Sequence, residues 1–415
     1  MKKTVSIFTL ICICLGLVWG CFFSGVAAAD GVDEQADITD GEALLDYLEA
    51  MRLGEEAEVP DVAAPTFNYN VRSAVLTEAE TGTVLFNYNG DEKNYPASVT
   101  KVMTMLLIME AIDSGKITES DEVTASEHAV SMGGTQIYLE VGETMTVREL
   151  LLAVAVPSAN DAAVALAEYV AGSEEEFVRR MNQRASELGM SGTNFTNATG
   201  LFDDDDHYTT ARDIAIMTAE LLRHKRIFDY TTVWMDSLRD GKFGLANTNK
   251  MLRTYAGMNG MKTGYTSKSL YCFSGTAERN GMTLIVTIMG AVTSEERFKA
   301  SAALLDYGFA SYSMAGSEEE DLPLITVKKG KLPTAEVECE NGFRIVVPKG
   351  YEKKLEVTVT LAEEVIAPAQ KGQQVGLLTY KLEGKTVKTF PIVLKNQVEK
   401  AGVIDYFKRF FGKLV

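Results

Sequence analysis

Histidine is scarce in this chain, three residues in 415, and cysteine is little more common at five. His128, His207 and His224 stand far apart, and no H-E-x-x-H or paired C-x-x-C spacing occurs, so the sequence predicts no metal centre and no cofactor. Cys12, Cys14 and Cys21 fall in the first 29 residues, which leaves Cys272 and Cys339, too few for a disulfide framework. Basic charge is short as well. With 40 Lys and Arg against 58 Asp and Glu the formal charge is -18, which argues against a nucleic-acid partner, because phosphate binding needs clustered cations.

Long apolar runs are confined to the start, "MKKTVSIFTLICICLGLVWGCFFSGVAAADG". Two lysines, an apolar stretch and a small-residue A-x-A site predict a signal peptide over residues 1–29, cut after Ala29 and directing the chain across the cytoplasmic membrane. A retained membrane span is the rival reading, and Gly20-Cys21 faintly resembles a lipoprotein site, against which Trp19 counts.

What is present is an ordinary globular composition, 46% hydrophobic, long enough for two domains. Residues 30–66 form an acidic tether in which Leu44, Leu45, Leu48 and Met51 fall at helical spacing. From Phe67 a hairpin is expected, "VRSAVLTEA" then "TVLFNYN". Helices follow in "KVMTMLLIMEAIDSG", "TVRELLLAVAVPSANDAAVALAEYVAG" and "SEEEFVRRMNQRASELGM", the last opening on a capping Ser-Glu pattern. "MKTGYTSKSLYCFSGTAERNGMTLIVTIMG" returns to two strands joined by "ERNG", and "TSEERFKASAALLDYGFASY" closes residues 67–314 as a helix. The class is α+β, one sheet assembled from both ends beside a helical cluster, followed over 315–395 by a small all-β domain. In residues 396–415, Val403, Phe407, Phe410, Phe411 and Leu414 share a helical face with Lys408, Arg409 and Lys413 elsewhere, the pattern of an interfacial membrane helix; packing on its own β domain is the alternative.

The chemistry begins at "YPASVTKVMT", where Ser98 and Lys101 lie three apart on one helical face. A lysine made neutral by burial beside "VMTMLLIM" or by a second cation can take the serine's proton, whereas a capping serine beside a solvated lysine is the plain alternative. Two further elements follow in order, Ser158-Ala159-Asn160 in "PSAND" and Lys262-Thr263-Gly264 in "GMKTGYT". Ser158 can relay a proton toward a leaving amine, and Asn160 can hold a substrate amide while bonding Lys101. Lys262 supplies positive charge for a substrate carboxylate and helps keep Lys101 neutral; Thr263 offers that carboxylate a hydroxyl. Gly264 on a strand admits a peptide backbone, and the N–H groups of Ser98 and Tyr265 can form an oxyanion hole. Helix capping by Ser158 and Asn160 and a common "KTG" turn are the separate alternatives.

S-x-x-K, S-D-N and K-T-G together mark class A β-lactamases and penicillin-binding proteins. With "GGTQIYLEVGE", "MNQRASELGM", "TNATGL", "HYTTARDIAIM", "NTNKML" and "LLDYGF" as well, the chain resembles the serine D-alanyl-D-alanine carboxypeptidases, the low-molecular-mass penicillin-binding proteins, over roughly Phe67 to Phe309. The resemblance implies a β-lactamase/transpeptidase-like catalytic domain, a second β domain and a membrane-anchor helix. It also implies an enzyme on the outer face of the membrane, at the cell wall, that trims the terminal D-alanine from peptidoglycan pentapeptide stems through a Ser98 acyl-enzyme and is trapped there by β-lactam antibiotics. Arg297, in "TSEERFKAS", is similar to a family arginine near the carboxylate-binding region. Departures are Ala159 where many relatives have Gly, Leu270 where they usually have Gly, and the acidic run Asp203 to Asp206 beside His207, read as solvated or as a cation site. A DD-endopeptidase, a β-lactamase-like hydrolase and a catalytically silent cell-wall binding protein are the competing functions.

Overall fold

The computed structural model describes residues 62–202, 204–316, 322–339 and 343–405. The leader, most of the acidic tether with its leucine pattern, and the last ten residues lie outside these. Strands β1 (Ser73–Glu78) and β2 (Val84–Tyr88) form the expected hairpin. The helical middle follows as α1 (Lys101–Asp113), α2 (Val147–Ala155), α3 (Asn160–Ala171), α4 (Glu174–Glu187) and α5 (Ala211–Arg223). Then come β3 (Met258–Thr266), β4 (Leu270–Arg279), β5 (Met282–Ala291) and α6 (Ser294–Ser311).

The late segment therefore holds three strands where the sequence suggested two. The break comes at residues 266–270, where Ser269 and Thr266 exchange backbone and hydroxyl hydrogen bonds and close a tight turn before the second strand starts. The five strands form one antiparallel sheet in the order β2-β1-β5-β4-β3, so early and late chain meet where β1 pairs with β5. β3 is an edge strand, with one side left for another backbone.

The sheet separates two apolar cores, and strand alternation assigns residues to each. Val75, Ile285 and Met289 join the helical core, whereas Ala74, Leu76, Leu284, Val286 and Ile288 face the core under α6. α1 is apolar nearly all round, with Val102, Met103, Met105, Leu106, Ile108 and Met109 fully buried, and a helix of that kind belongs in a centre. The helices start where side chains supply caps: Thr146 and Glu149 make a reciprocal capping box on α2, and Ser173, Thr210 and Thr293 accept from the third residue of α4, α5 and α6.

Beyond α6 the described chain is mostly strand and turn, with a 3-10 turn at Glu352–Lys354. Val337–Cys339, Lys385–Leu394, Gln374–Leu382 and Leu355–Leu361 form an antiparallel sheet, and Ile325–Lys328 pairs with Thr334–Ala335 and, in parallel, with Glu364–Ile366. Arg344 ties this region to the first by donating to Glu80 (3.1 Å) and to the Gly281 carbonyl (2.6 Å). The expected tail helix over 396–415 begins later than the sequence suggested. Val398 pairs with Ala369 and Lys400 with Gly330, so these residues extend the β region, and helix starts only at Val403. Among the described residues no helix is long and apolar enough to cross a membrane.

Candidate active site

Ser98 sits in a single turn of 3-10 helix (Ala97–Thr100) that runs into α1. The turn is held from two sides by glycines that no other residue can replace without backbone collision. A Cβ on Gly200, whose φ is +68°, would lie 1.9 Å from the Ala97 carbonyl oxygen, and one on Gly264 would lie 2.9 Å from the Pro96 carbonyl oxygen and 3.1 Å from the Ser98 nitrogen. Gly264 is thus required by the approach of β3 to the serine turn, a reason independent of any substrate. Ala97 and Ser158 take positive φ (48° and 77°), strain of about 1–3 kcal/mol each that the surrounding packing must hold.

Lys101, the first residue of α1, is wholly buried. Its Nζ donates to Asn160 Oδ1 (2.6 Å) and to the Thr199 carbonyl (2.9 Å), and lies 3.1 Å from Ser98 Oγ. The two carbonyl oxygens can only accept. A neutral amine has two protons for them and one lone pair left, aimed at the serine hydroxyl. Burial drives the Lys101 ammonium well below its ordinary pKa, and the neighbouring Lys262 adds to this while Asp161 opposes it. Lys262, also buried, is lowered to about 7 by burial and then by Arg297. Burial and the neighbouring cation thus both act in favour of the neutral amine of Lys101.

α3 opens with Asn160, whose Nδ2 donates to the Gly133 carbonyl (2.7 Å). Its neighbour Asp161 accepts from the Ile137 and Leu139 N–H groups at 3.1 Å, pinning the 133–142 loop to the helix. The cap position of α3 is Ala159, with no side-chain cap, so Ser158 and Asn160 are not spent on capping. Ser158 Oγ is buried and finds no hydrogen-bond partner among the described residues, a donor and acceptor in reserve.

On β3, Lys262 Nζ donates to the Thr263 carbonyl (3.0 Å), and Thr263 Oγ1 lies 2.7 Å from Thr248 Oγ1. Tyr265 is exposed, its ring 4.4 Å from that of Tyr271. Arg297 is buried, and its NH1 donates to the Gly264 (3.3 Å) and Cys272 (3.1 Å) carbonyls, so it braces β3 against β4. Leu270 opposes Thr266 in the β3–β4 turn with φ of 57°. That conformation explains a glycine preference and places the effect of the leucine on the turn, at about 1–2 kcal/mol of strain.

Sequence reasoning left several supports unassigned. The Thr199 carbonyl is one. His207 is another: Nδ1 accepts from the Thr196 N–H (3.0 Å), so Nε2 carries the proton and donates to Thr100 Oγ1 (2.8 Å). Burial lowers its pKa to about 4, so a neutral imidazole braces the serine turn. The strings "TNATGL" and "HYTTARDIAIM" hold these residues, but a backbone carbonyl and a brace carry no spacing signal. In the acidic loop, Asp205 accepts from Tyr95 Oη (2.5 Å) and Lys268 Nζ (2.9 Å) and links three segments around the serine; Asp203 lies outside the described residues.

Residues 59–293 match the family described as D-alanyl-D-alanine carboxypeptidase, and 317–400 match the penicillin-binding protein 5 C-terminal domain. The D-alanyl-D-alanine carboxypeptidase DacF of Bacillus subtilis (strain 168) is 43% identical over 350 residues, 83% of this chain and 90% of that one. DacC of Escherichia coli (strain K12) is 32% identical over 85% of this chain and 88% of its own. The crystal structure of penicillin-binding protein 5 from Haemophilus influenzae superposes with TM-score 0.71 and 31% identity, covering 82% of this chain and all of that one. Penicillin-binding protein D2 from Listeria monocytogenes, in an ampicillin-bound form, superposes with TM-score 0.55 and 32% identity over 59% of this chain and all of its own.

The geometry predicts how Ser98 reacts with a neutral active ester. Acylation slows as pH falls, because protonating Lys101 removes the lone pair that faces Ser98. Lys101→Ala lowers the acylation rate at neutral pH by at least about 100-fold and abolishes that pH dependence. Mass spectrometry of the Ser98 peptide checks both, and an unchanged rate in Lys101→Ala would remove the lysine from the base role.

Proposed function

The chain belongs to the D-alanyl-D-alanine carboxypeptidases, the low-molecular-mass penicillin-binding proteins that hydrolyse with a serine, and we propose how its residues divide that work. One observation carries the assignment: a buried lysine amine with two carbonyl acceptors and one serine hydroxyl as its partners. The substrate is a peptidoglycan stem ending in D-Ala-D-Ala, laid along the open edge of β3. Its terminal carboxylate meets Lys262 and Thr263, with Arg297 adding positive charge from behind the strand.

Ser98 Oγ gives its proton to the Lys101 amine and bonds to the carbonyl carbon between the two D-alanines. The oxyanion is held by the N–H groups of Ser98 and Tyr265. As the C–N bond breaks, the leaving amine takes a proton passed from Lys101 through Ser158, whose hydroxyl stands in reserve. Water then attacks the ester with Lys101 as base, releasing the shortened stem and restoring Ser98. Penicillins enter the same step, but their leaving nitrogen stays attached to the acyl group and blocks water. The ampicillin-bound relative supports this reading.

The protein acts on the outer face of the cytoplasmic membrane. The signal-like leader supports export, and the amphipathic pattern of the last residues supports attachment to lipid, although residues 406–415 lie outside the described ones.

Three measurements follow. Incubation with a D-Ala-D-Ala peptide releases D-alanine from the unaltered chain, and Ser98→Ala reduces release to background; release that survives would place the nucleophile elsewhere. For that carboxylate-bearing substrate, kcat/KM also falls on the alkaline side of about pH 7, where Lys262 loses its charge in the free enzyme. Lys262→Arg, which stays charged, shifts that limb upward; an unmoved limb would assign it to another group. Cutting the chain after Gly402 releases an active, soluble enzyme once the leader is removed. A cut near Asn396 would be too early, because Val398 and Ala401 donate to the Ala369 and Lys329 carbonyls (2.9 and 2.8 Å). Continued sedimentation with membranes would place the attachment elsewhere.

A further inference from the structure

The carbonyl that accepts from Lys101 belongs to the peptide unit joining Thr199 to Gly200, and the N–H of that same unit donates to Asn197 Oδ1 (2.7 Å). In a trans peptide the C=O and N–H point in opposite directions, so Lys101 and Asn197 hold one plane by its two edges. The preceding unit is held likewise. Its N–H, from Thr199, donates to the same Asn197 oxygen (3.1 Å), and its carbonyl, from Ala198, accepts from Thr104 Oγ1 of α1 (2.6 Å). The Ala198 N–H donates to Glu174 at the start of α4 (2.9 Å).

These bonds replace a ladder, because residues 197–200 belong to no helix or strand. Gly200 has a φ of +68° and no side chain to restrict rotation of the unit before it. Without Asn197, the Lys101 amine would be left to orient the carbonyl that is meant to orient the amine. A hydrogen bond at the N–H end also polarises the carbonyl at the other end and makes it a better acceptor. Asn197 itself has no hydrogen bond to Ser98 or Lys101 among the described residues.

We propose that Asn197 is a positioning residue for the base: through the Thr199–Gly200 peptide it aims the carbonyl that engages one proton of Lys101, and so leaves the amine lone pair to Ser98. This rests on the reading of Lys101 as the base. The sign of a perturbation follows from charge. A carbonyl acceptor favours the ammonium over the amine, since a charged donor bonds more strongly, so turning the carbonyl away weakens proton binding at Lys101. A carboxylate at position 197 strengthens it. The titratable groups facing the amine are Lys262 from β3 and Asp161 from α3; those facing Asn197 are His207, its Nδ1 3.4 Å from Asn197 Nδ2, and, through Ala198, Glu174.

The test measures acylation of Ser98 by a neutral active ester from mildly acidic to alkaline pH, in the whole chain and in Asn197→Ala, Asn197→Asp and Lys101→Ala. Asn197→Ala is expected to acylate about 10- to 100-fold more slowly, with its acid limb displaced to lower pH. Asn197→Asp keeps an acceptor for both N–H groups; it recovers most of the rate, and its limb moves to higher pH. Opposite displacements are not produced by a loss of stability. If Asn197→Ala does not fold, the upward displacement in Asn197→Asp with a near-normal rate decides for the proposal, and an unmoved limb decides against it. Slow acylation with unmoved limbs in both variants would overturn it and leave Asn197 a structural support. Unchanged rate and limb in Asn197→Ala, with Lys101→Ala slowed, would overturn the positioning role and leave the base in place. An unslowed Lys101→Ala would overturn the base and the proposal together.

Discussion

Burial of the Lys101 side chain is the constraint on which the site depends. An ammonium in that position is stripped of water and faces the charge of Lys262, and both lower its pKa. Its partners complete the argument. Asn160 comes from the start of α3, the Thr199 carbonyl from the loop before α5, and Ser98 from the turn before α1. The amine is thus the junction of three segments that are remote in sequence. Its reactivity and the local architecture share one cause.

Holding that junction requires backbone to approach backbone. Gly200 and Gly264 allow the loop and β3 to close on the serine turn, and a neutral His207 fixes Thr100 from behind. The positive φ at Ala97 and Ser158 is tolerated because the two apolar cores on either side of the sheet are rigid enough to keep it. Ser158 Oγ, buried and unpartnered among the described residues, is the counterpart of this order.

The edge position of β3 connects fold to substrate. Pairing of β1 with β5 brings the first and last strands of the catalytic region together, which leaves the K-T-G strand at the end of the sheet with Arg297 bracing it against β4. An edge strand beside a nucleophile suits a peptide better than a small compact ligand, because an extended backbone can pair with it along its length.

Much of this was legible in the sequence. Ser98, Lys101, Ser158, Asn160, Lys262, Thr263 and Gly264 stand out by residue type and order, and the structure brings Ser98, Lys101 and Asn160 into hydrogen-bond distance and Gly264 against the serine turn. The α+β class followed from apolar periodicity at both ends of a helical middle. The third late strand was missed, because a turn made by Thr266 and Ser269 carries no Gly or Pro, and the β pairing of Val398 and Lys400 was hidden by the helical pattern after it. Tertiary structure alone decided that Thr199 presents a carbonyl to Lys101, that His207 is a brace, and that Arg297 lies behind the K-T-G strand. The reason is physical: side-chain chemistry is written in local sequence, whereas a backbone carbonyl, a close approach and a buried charge exist only once distant segments have packed together.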